Sequence, residues 1–264
     1  MQDHFEGEPS SHWTCWLQGA GRLEPGDSTI CLVTEDARAD EYSDAQLDDY
    51  HTGPSFGNLS GPKRRWPWRP PLKMSVRARV SSAALIGTAG FGFWNDPFTL
   101  AGGINALPEA VWFFYASPPS NMALVPGVPG WGWKAAIVNT TLTSAMLSSV
   151  PTALAVLWTR LTGGVIAQRW IQRISGAHEA PLSLDWTAWH TFELDWQRDA
   201  ATFFADGDQV LRAPRGSAPR GPLGFVTWVD NQFAVATPRG DLRFGTLDAP
   251  GRQWLELDWV QIEG

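Results

Sequence analysis

The sequence is poor in cysteine, histidine and positive charge. Its 264 residues include 2 cysteines and 5 histidines, and 20 Lys and Arg stand against 27 Asp and Glu, a formal net charge of −7. No two histidines have a short ligand spacing and no Cys-x-x-Cys pair occurs, which argues against a zinc site. The negative charge argues against nucleic acid and anionic membranes as partners. Cys15 and Cys31 are predicted to be reduced, structural thiols.

The sequence also lacks segments that direct a chain to or through a membrane. Its first residues are polar and acidic, with no basic region followed by an apolar one, which predicts a cytoplasmic protein. Residues 135–159 carry no charge, but Asn, Thr, Ser and Pro interrupt them, so we predict no membrane span. No Gly-x-Ser-x-Gly, phosphate-loop or dinucleotide motif occurs. The sequence therefore gives no sign of an α/β-hydrolase or of a nucleotide-binding protein.

What the sequence does contain is a succession of β-strand patterns. Its 26 Gly and 20 Pro divide it into many short segments. Leu72–Val80 alternates apolar and polar residues, the period of a strand with one solvated face. The Asp206-Gly207 pair between two apolar runs predicts a hairpin. The other predicted strands are 13–17, paired with 29–34 around a turn at 24–27, and 90–96, 110–116, 133–139, 189–196, 201–211, 222–229 and 254–262.

Two segments interrupt the strand pattern. Residues 35–49 are predicted to form an acidic loop. In residues 152–174 the apolar period becomes that of one or two amphipathic helices, broken near Gly163-Gly164. This helical insertion either packs on the β domain or forms a lid over a cleft. No linker or repeat divides the chain, so residues 1–264 are predicted to form one domain.

Several motifs carry a family resemblance. The chain resembles laminarinase-like glycoside hydrolases and their concanavalin A-like relatives in residues 189–196 with 203–207, in the closing residues 257–262, and in residues 91–94. The resemblance covers the chain thinly from about Leu72 onward. It implies an all-β, concanavalin A-like jelly-roll sandwich of antiparallel strands, with the helical insertion around 152–174. This fold hosts lectins, hydrolases, lyases and noncatalytic modules, so it does not by itself imply a function.

The hydrolytic members carry a Glu-x-Asp-x-Glu strand, whose alternation places the nucleophile, a helper and the general acid/base on one face. The matching strand here is Glu109–Ala116, which has one carboxylate at its edge and aromatic residues further along. The resemblance therefore implies that retaining glycosidase chemistry is absent. Two other acidic pairs, Glu193 with Asp195 and Glu256 with Asp258, are predicted to lie on a solvated outer face.

Tryptophan is the most unusual component, with 16 residues. Indole rings provide flat apolar area and an N–H donor, which suits stacking on a sugar ring or on a hydrophobic metabolite. Strand packing accounts for one group, Trp186, Trp189, Trp196, Trp254 and Trp259. The candidate ligand-binding residues are Trp94, Asn95, Trp112, Tyr115, Trp133, Trp228 and Asn231.

These observations leave three functions open. The first is binding of a neutral ligand, most simply a carbohydrate, in a tryptophan-rich cleft. The second is an intracellular cyclase or isomerase of a terpenoid or polyketide, in which Asp96, Glu109 or Asp230 acts as acid or base. The third is a divergent glycoside hydrolase. The expected partner is thus a small molecule or a glycan.

No cofactor is expected from the sequence. Many relatives of the fold carry a structural calcium, and Asp206, Asp208, Asp230 and Asp258 are the oxygen donors that could hold one. No ordered calcium loop is present in the sequence, so no metal is assigned.

Overall fold

A computed structural model describes residues 1–7, 9–52, 63–97, 108–140, 176–236 and 242–264. These residues form strands and no helix. The strands are β1 Gln2–Asp3, β2 Thr14–Gln18, β3 Gly21–Pro25, β4 Ile30–Ala37, β5 Asp44–Asp48, β6 His51–Thr52, β7 Lys63–Arg64, β8 Leu72–Val80, β9 Thr88–Trp94, β10 Glu109–Ala116, β11 Gly132–Asn139, β12 His178–Pro181, β13 His190–Trp196, β14 Ala201–Ala205, β15 Asp208–Arg212, β16 Gly224–Asp230, β17 Gln232–Ala236, β18 Leu242–Thr246 and β19 Ala249–Glu263.

The predicted helical insertion at 152–174 lies outside the described residues. Within the described ranges there is no helix long and apolar enough to cross a membrane.

Two antiparallel sheets pack face to face. The first has eight strands in the order β15, β14, β13, β8, β19, β4, β3, and β1 also pairs with β19. The second has seven strands in the order β12, β11, β10, β9, β16, β5, β2. The predicted all-β antiparallel sandwich is confirmed.

The core between the sheets follows from the alternation of the strands. In β8, the apolar residues of the pattern are buried and the residues between them are partly exposed. Phe91 and Phe93 of β9 face Phe192 and Trp196 of β13 at ring-centroid distances of 5.2 and 5.4 Å. Because side chains of successive strand residues point to opposite faces, each strand gives every second residue to this core.

The N-terminal pairing differs from the prediction. Strand β2 pairs with β5 in the second sheet, whereas β4 pairs with β3 in the first. The turn near residue 26 therefore joins β3 to β4, and the predicted pairing of residues 13–17 with 29–34 is wrong. Cys15 on β2 and Cys31 on β4 do not form a disulfide.

The prediction of an acidic loop at 35–49 is also wrong. Asp44–Asp48 is a strand in which every residue is buried. Ala45 and Leu47 join the hydrophobic core. The intervening polar residues are tolerated because they point to the other face of the sheet, where β2 and β16 flank them on both sides.

The outer face of the first sheet carries a ladder of charges, as the sequence predicts for Glu256 and Asp258. Arg77 pairs with Asp258 at 2.5 Å and Arg79 with Glu256 at 2.7 Å. The guanidinium of Arg79 also lies 4.5 Å from the ring centroid of Trp189. These contacts are partly exposed and stabilise the sheet surface.

Candidate functional site

The two faces of the second sheet have different compositions. In β9, Phe91 and Phe93 point into the core, and Trp94 points away from it. In β10, Phe113 points into the core, and Trp112 points away. We call the face that points away from the core the distal face.

Four aromatic residues of the distal face pack against one another and form the ring cluster: Trp94, Trp112, Phe114 and Trp228. Trp112 is central, with ring centroids 5.8 Å from Trp94, 5.2 Å from Phe114 and 5.3 Å from Trp228. Trp228 and Phe114 are nearly covered, at 8% and 9% exposure. Trp94 and Trp112 are more exposed and offer the ring surface that a ligand can reach.

Glycines of β9 make room for these rings. A Cβ atom on Gly90 would lie 2.8 Å from the ring of Trp228. A Cβ atom on Gly92 would lie 2.6 Å from the backbone Cα of Trp112, and Gly92 has φ +143°. The alternation of glycine and phenylalanine in β9 thus fills the core on one side and makes space for indoles on the other.

Hydrogen bonds fix the orientation of two indoles. Trp94 Nε1 donates to the hydroxyl of Tyr50 at 2.9 Å. Trp228 Nε1 donates to Thr88 Oγ1 at 2.9 Å, and Thr88 Oγ1 donates to Asp230 at 2.8 Å. The rings are therefore held in place before any ligand arrives, which lowers the entropic cost of binding.

A buried carboxylate pair lies beside Trp228. Asp44 of β5 is directly opposite Asp230 of β16, and they are 2% and 4% exposed. Burial, and then the charge of Asp230, raise the pKa of Asp44 well above its usual value. Burial raises the pKa of Asp230 to about 6, although hydrogen bonds from Gln232 and Thr88 oppose that shift. Burial and the proximity of the two carboxyls therefore favour the protonated form of Asp44.

A second group of ionisable residues, the charged cluster, lies at the edge of the distal face and consists of Asp48, His51, Arg64 and Asp96. His51 Nδ1 lies 2.8 Å from Asp48 Oδ2. Its Nε2 lies 3.4 Å from Arg64 Nε and 3.6 Å from Asp96 Oδ2. Arg64 Nη2 lies 2.7 Å from the same Asp96 oxygen. His51, Asp48 and Asp96 are all buried, so these interactions are only weakly screened by water.

The structure brings together three of the predicted ligand-binding residues, Trp94, Trp112 and Trp228. Tyr115 and Trp133 lie on the opposite face, in the core between the sheets. The Tyr115 hydroxyl donates to the carbonyl of Leu85 at 2.8 Å. These two rings cannot contact a ligand on the distal face.

The two predicted amides have structural roles. Asn231 is fully buried, and its Nδ2 donates to the carbonyls of Arg38, Glu41 and Leu247 at 2.9 to 3.0 Å. The side-chain oxygen of Asn95 accepts from the backbone N–H of Glu109 at 3.0 Å, at the end of the β9–β10 pair.

The predicted acid/base residues lie in three places. Asp96 belongs to the charged cluster and Asp230 to the carboxylate pair. Glu109 is the first residue of β10, on the same face of that strand as Val111 and Phe113, and so opposite to Trp112. The three carboxylates do not form one site.

Sequence reasoning missed His51, Asp48 and Tyr50. The alternation Asp44, Gln46, Asp48 was the available signal, because a period of two places those polar side chains on one face. His51 and Arg64 come together only through the pairing of β6 with β7, which local sequence does not show.

Of the candidate calcium ligands, Asp206 and Asp208 lie at the β14–β15 turn, Asp230 ends β16 and Asp258 lies on β19. Asp206 contacts His190, Asp258 contacts Arg77 and Asp230 contacts Thr88. Across the described ranges, no three His, Cys, Asp or Glu side chains are grouped closely enough to hold a metal ion.

Comparison with solved structures shows the fold. A β-1,3-1,4-glucanase (lichenase) from a mouse hindgut metagenome is 13% identical with TM-score 0.53, covering 100% of this chain and 98% of its own. A pseudo β-1,3-glucanase of Mycobacterium tuberculosis is 12% identical with TM-score 0.53, covering 100% and 98%. Laminarinase from Flavobacterium sp. UMI-01 is 11% identical with TM-score 0.52, covering 100% and 99%.

No protein-family model and no curated protein matches the sequence. The structural matches span whole chains, so the chain has the concanavalin A-like jelly-roll fold that the strand motifs predict. At these identities the likeness concerns the fold alone.

Proposed function

We propose that this concanavalin A-like domain binds a neutral ligand, most simply a carbohydrate, on the partly exposed rings of Trp94 and Trp112, without retaining glycosidase chemistry. The ring cluster carries this proposal. On the strand that corresponds to the hydrolytic Glu-x-Asp-x-Glu motif, the residues on the distal face are Ala110, Trp112, Phe114 and Ala116. No carboxylate of β10 points to that face, so the pair of acids that retaining hydrolysis requires is missing there.

The charges around the ring cluster favour an uncharged ligand. Asp48 and Asp96 interact with His51 and Arg64, and burial raises the pKa of both Asp44 and Asp230. A charged ligand would have to displace these contacts or remain unpaired in a nearly dry site. A sugar ring offers an apolar C–H face to an indole without that penalty.

The structural neighbours give independent support. The mouse hindgut protein is a glucanase, and the Mycobacterium tuberculosis protein is a pseudo-glucanase. A glycan ligand is therefore consistent with the use of this fold elsewhere, including a form without glucanase activity.

Substitution of the two partly exposed tryptophans of the ring cluster tests this proposal. In a fluorescence titration with neutral oligosaccharides, Trp112→Ala and Trp94→Ala are each expected to weaken binding about tenfold or more, because each removes a stacking surface. The matched control is Trp189→Ala, since Trp189 lies against Arg79 on the outer face of the other sheet. Equal loss of affinity in Trp189→Ala and Trp112→Ala would overturn the assignment of the site.

An enzyme of the cyclase or isomerase class is the second candidate. The observation that favours it is the buried pair of Asp48 and His51. Tyr50 contacts both His51 and Trp94 and so connects this pair to the ring cluster. In that case the ligand would be changed by proton transfer after binding.

A further inference from the structure

His51 has the local geometry of a base. Its ring is 7% exposed and lies between Trp16, 5.3 Å away, and Tyr50, 4.6 Å away. The backbone N–H of His51 also donates to Asp48 Oδ1 at 2.8 Å, so Asp48 binds both the main chain and the ring of this residue. A carboxylate that accepts from Nδ1–H fixes the tautomer whose Nε2 carries the lone pair.

The charged groups around His51 are arranged so that its Nε2 can accept a proton. Arg64 Nε donates toward His51 Nε2, which requires a lone pair on that atom. With His51 neutral, the two carboxylates and one guanidinium of the charged cluster sum to −1. When His51 carries a second proton, the charges of the cluster sum to zero.

The backbone holds Asp96 in an unusual conformation. Its φ is +35°, a region that L-residues other than asparagine and aspartate rarely adopt. The carbonyl of Asp96 accepts from Arg64 Nη1 at 3.3 Å, and its carboxylate pairs with Arg64 Nη2. The backbone carbonyl and the carboxylate of Asp96 thus both hold the Arg64 guanidinium close to His51.

The charged cluster is joined to the ring cluster by Tyr50. The hydroxyl of Tyr50 accepts from Trp94 Nε1, and its ring contacts His51. Tyr50 therefore links Trp94, on which the ligand stacks, to His51.

We propose that His51 is a proton-transfer group and that the domain isomerises a neutral reducing sugar that binds to the ring cluster; this inference rests on the proposed function. Nε2 gives up its contact with Arg64 Nε and removes the proton on the carbon next to the carbonyl of the open-chain sugar. The C–H bond breaks, an N–H bond forms, and the electron pair moves onto the carbonyl oxygen. The enediolate is stabilised by the nearby positive charge of Arg64.

The proton then returns from Nε2 to either carbon of the enediolate. Return to the original carbon regenerates the sugar or gives its epimer. Return to the neighbouring carbon gives the ketose when the hydroxyl proton on the original carbon's oxygen passes to the former carbonyl oxygen. No oxidant, reductant or metal is consumed, and the base is restored. The few per cent exposure of His51 keeps bulk water away from the imidazolium.

Solvent exchange tests this step without knowledge of the natural ligand. The protein is incubated in D2O with neutral reducing disaccharides of gluco, manno and galacto configuration, and loss of the reducing-end H-2 signal is followed by proton NMR. Tryptophan quenching is recorded on the same samples. We expect a sugar that quenches to exchange at least about 100-fold faster than in buffer.

Variants assign the exchange to the charged cluster. At saturating sugar, His51→Gln should reduce the exchange rate to that of buffer. Arg64→Lys keeps a positive charge but loses the planar guanidinium, and should slow exchange at least about tenfold. If His51→Gln does not fold, as judged by circular dichroism, Arg64→Lys decides. Trp189→Ala, on the other sheet, should exchange as fast as the wild type.

The outcomes separate the two proposals. Quenching without exchange, or exchange that is equally fast in the folded His51 and Arg64 variants, overturns the proton-transfer inference and leaves the binding function standing. Absence of quenching by all the disaccharides overturns the binding function, and the inference with it.

Discussion

Asp44→Asn is expected to make the protein more stable than the wild type at pH 7. Asp44 is buried opposite Asp230, its Oδ1 accepts no hydrogen bond from the described residues, and its pKa is raised well above the usual value. Burial therefore favours the protonated carboxyl in the folded protein, whereas this group is ionised in the unfolded chain at neutral pH. At a pH above both pKa values, each unit by which folding raises the pKa costs about 1.4 kcal/mol. Asparagine avoids this cost because it is neutral at every pH.

The pH dependence follows from the same shift. A carboxyl whose pKa is raised on folding binds more protons in the native state, so its contribution to stability falls as pH rises from the unfolded pKa to the folded one. Burial raises the pKa of Asp230 to about 6 and that of Asp49 to about 7. Over about pH 4 to 7 these groups make the wild type less stable as pH rises. Asp44→Asn should show a shallower decline, which urea unfolding at several pH values measures.

Asp48→Asn is the matched control on the same face of the same strand. Asp48 accepts hydrogen bonds from Gln46, from the backbone of Tyr50 and from both the backbone and the ring of His51. Asparagine lacks one acceptor oxygen, so this variant should be destabilised by about 1–3 kcal/mol. If Asp44→Asn were also destabilised at pH 7, or if its pH slope matched that of the wild type, the buried proton would be ruled out.

Trp133→Ala is expected to reduce the free energy of unfolding by about 3–5 kcal/mol. Trp133 is 5% exposed and stacks on Trp186 at 3.6 Å between centroids, with an interplanar angle of 10°. Trp186 in turn stacks on Phe192 at 4.8 Å. The alanine variant removes the end of this stack and leaves a cavity between the sheets. Thermal or urea unfolding measures the loss.

Trp133→Phe separates packing from hydrogen bonding at this position. The Nε1 of Trp133 has no hydrogen-bond partner in the described part of the chain. Phenylalanine keeps an aromatic ring and removes that buried N–H, so the loss should be smaller, about 1–2 kcal/mol. A Trp133→Ala variant with unchanged stability but no sugar-induced quenching would show that this ring faces a ligand, contrary to the structure.

Much of the fold could be predicted because its strands alternate cleanly. The alternation in β8 and the Asp206-Gly207 turn depend on neighbouring residues alone, and both are present in the structure. Strand β5 could not be recognised from its composition, since three of its five residues are Asp or Gln. It is a strand because β2 and β16 pair with it on both sides, which is a long-range property.

The candidate site was only partly predictable for a related reason. Trp112 and Tyr115 are three residues apart on one strand, so they must point to opposite faces, and the period of two should have excluded one of them. Trp133 is paired with Tyr115 across β10 and β11, and it shares the core face for that reason. The approach of Arg64 to His51 depends on a hairpin that sequence patterns do not specify.

Native mass spectrometry with neutral oligosaccharides is the most direct test of ligand binding without hydrolysis. Purified protein is incubated with intact glucan and mannan oligosaccharides, and in parallel with terpenoid and polyketide extracts. We expect a one-to-one complex whose added mass equals that of a whole oligosaccharide, and no shorter sugars in solution after prolonged incubation. Retention of an apolar metabolite with no oligosaccharide complex, or the appearance of cleaved sugars, would contradict it.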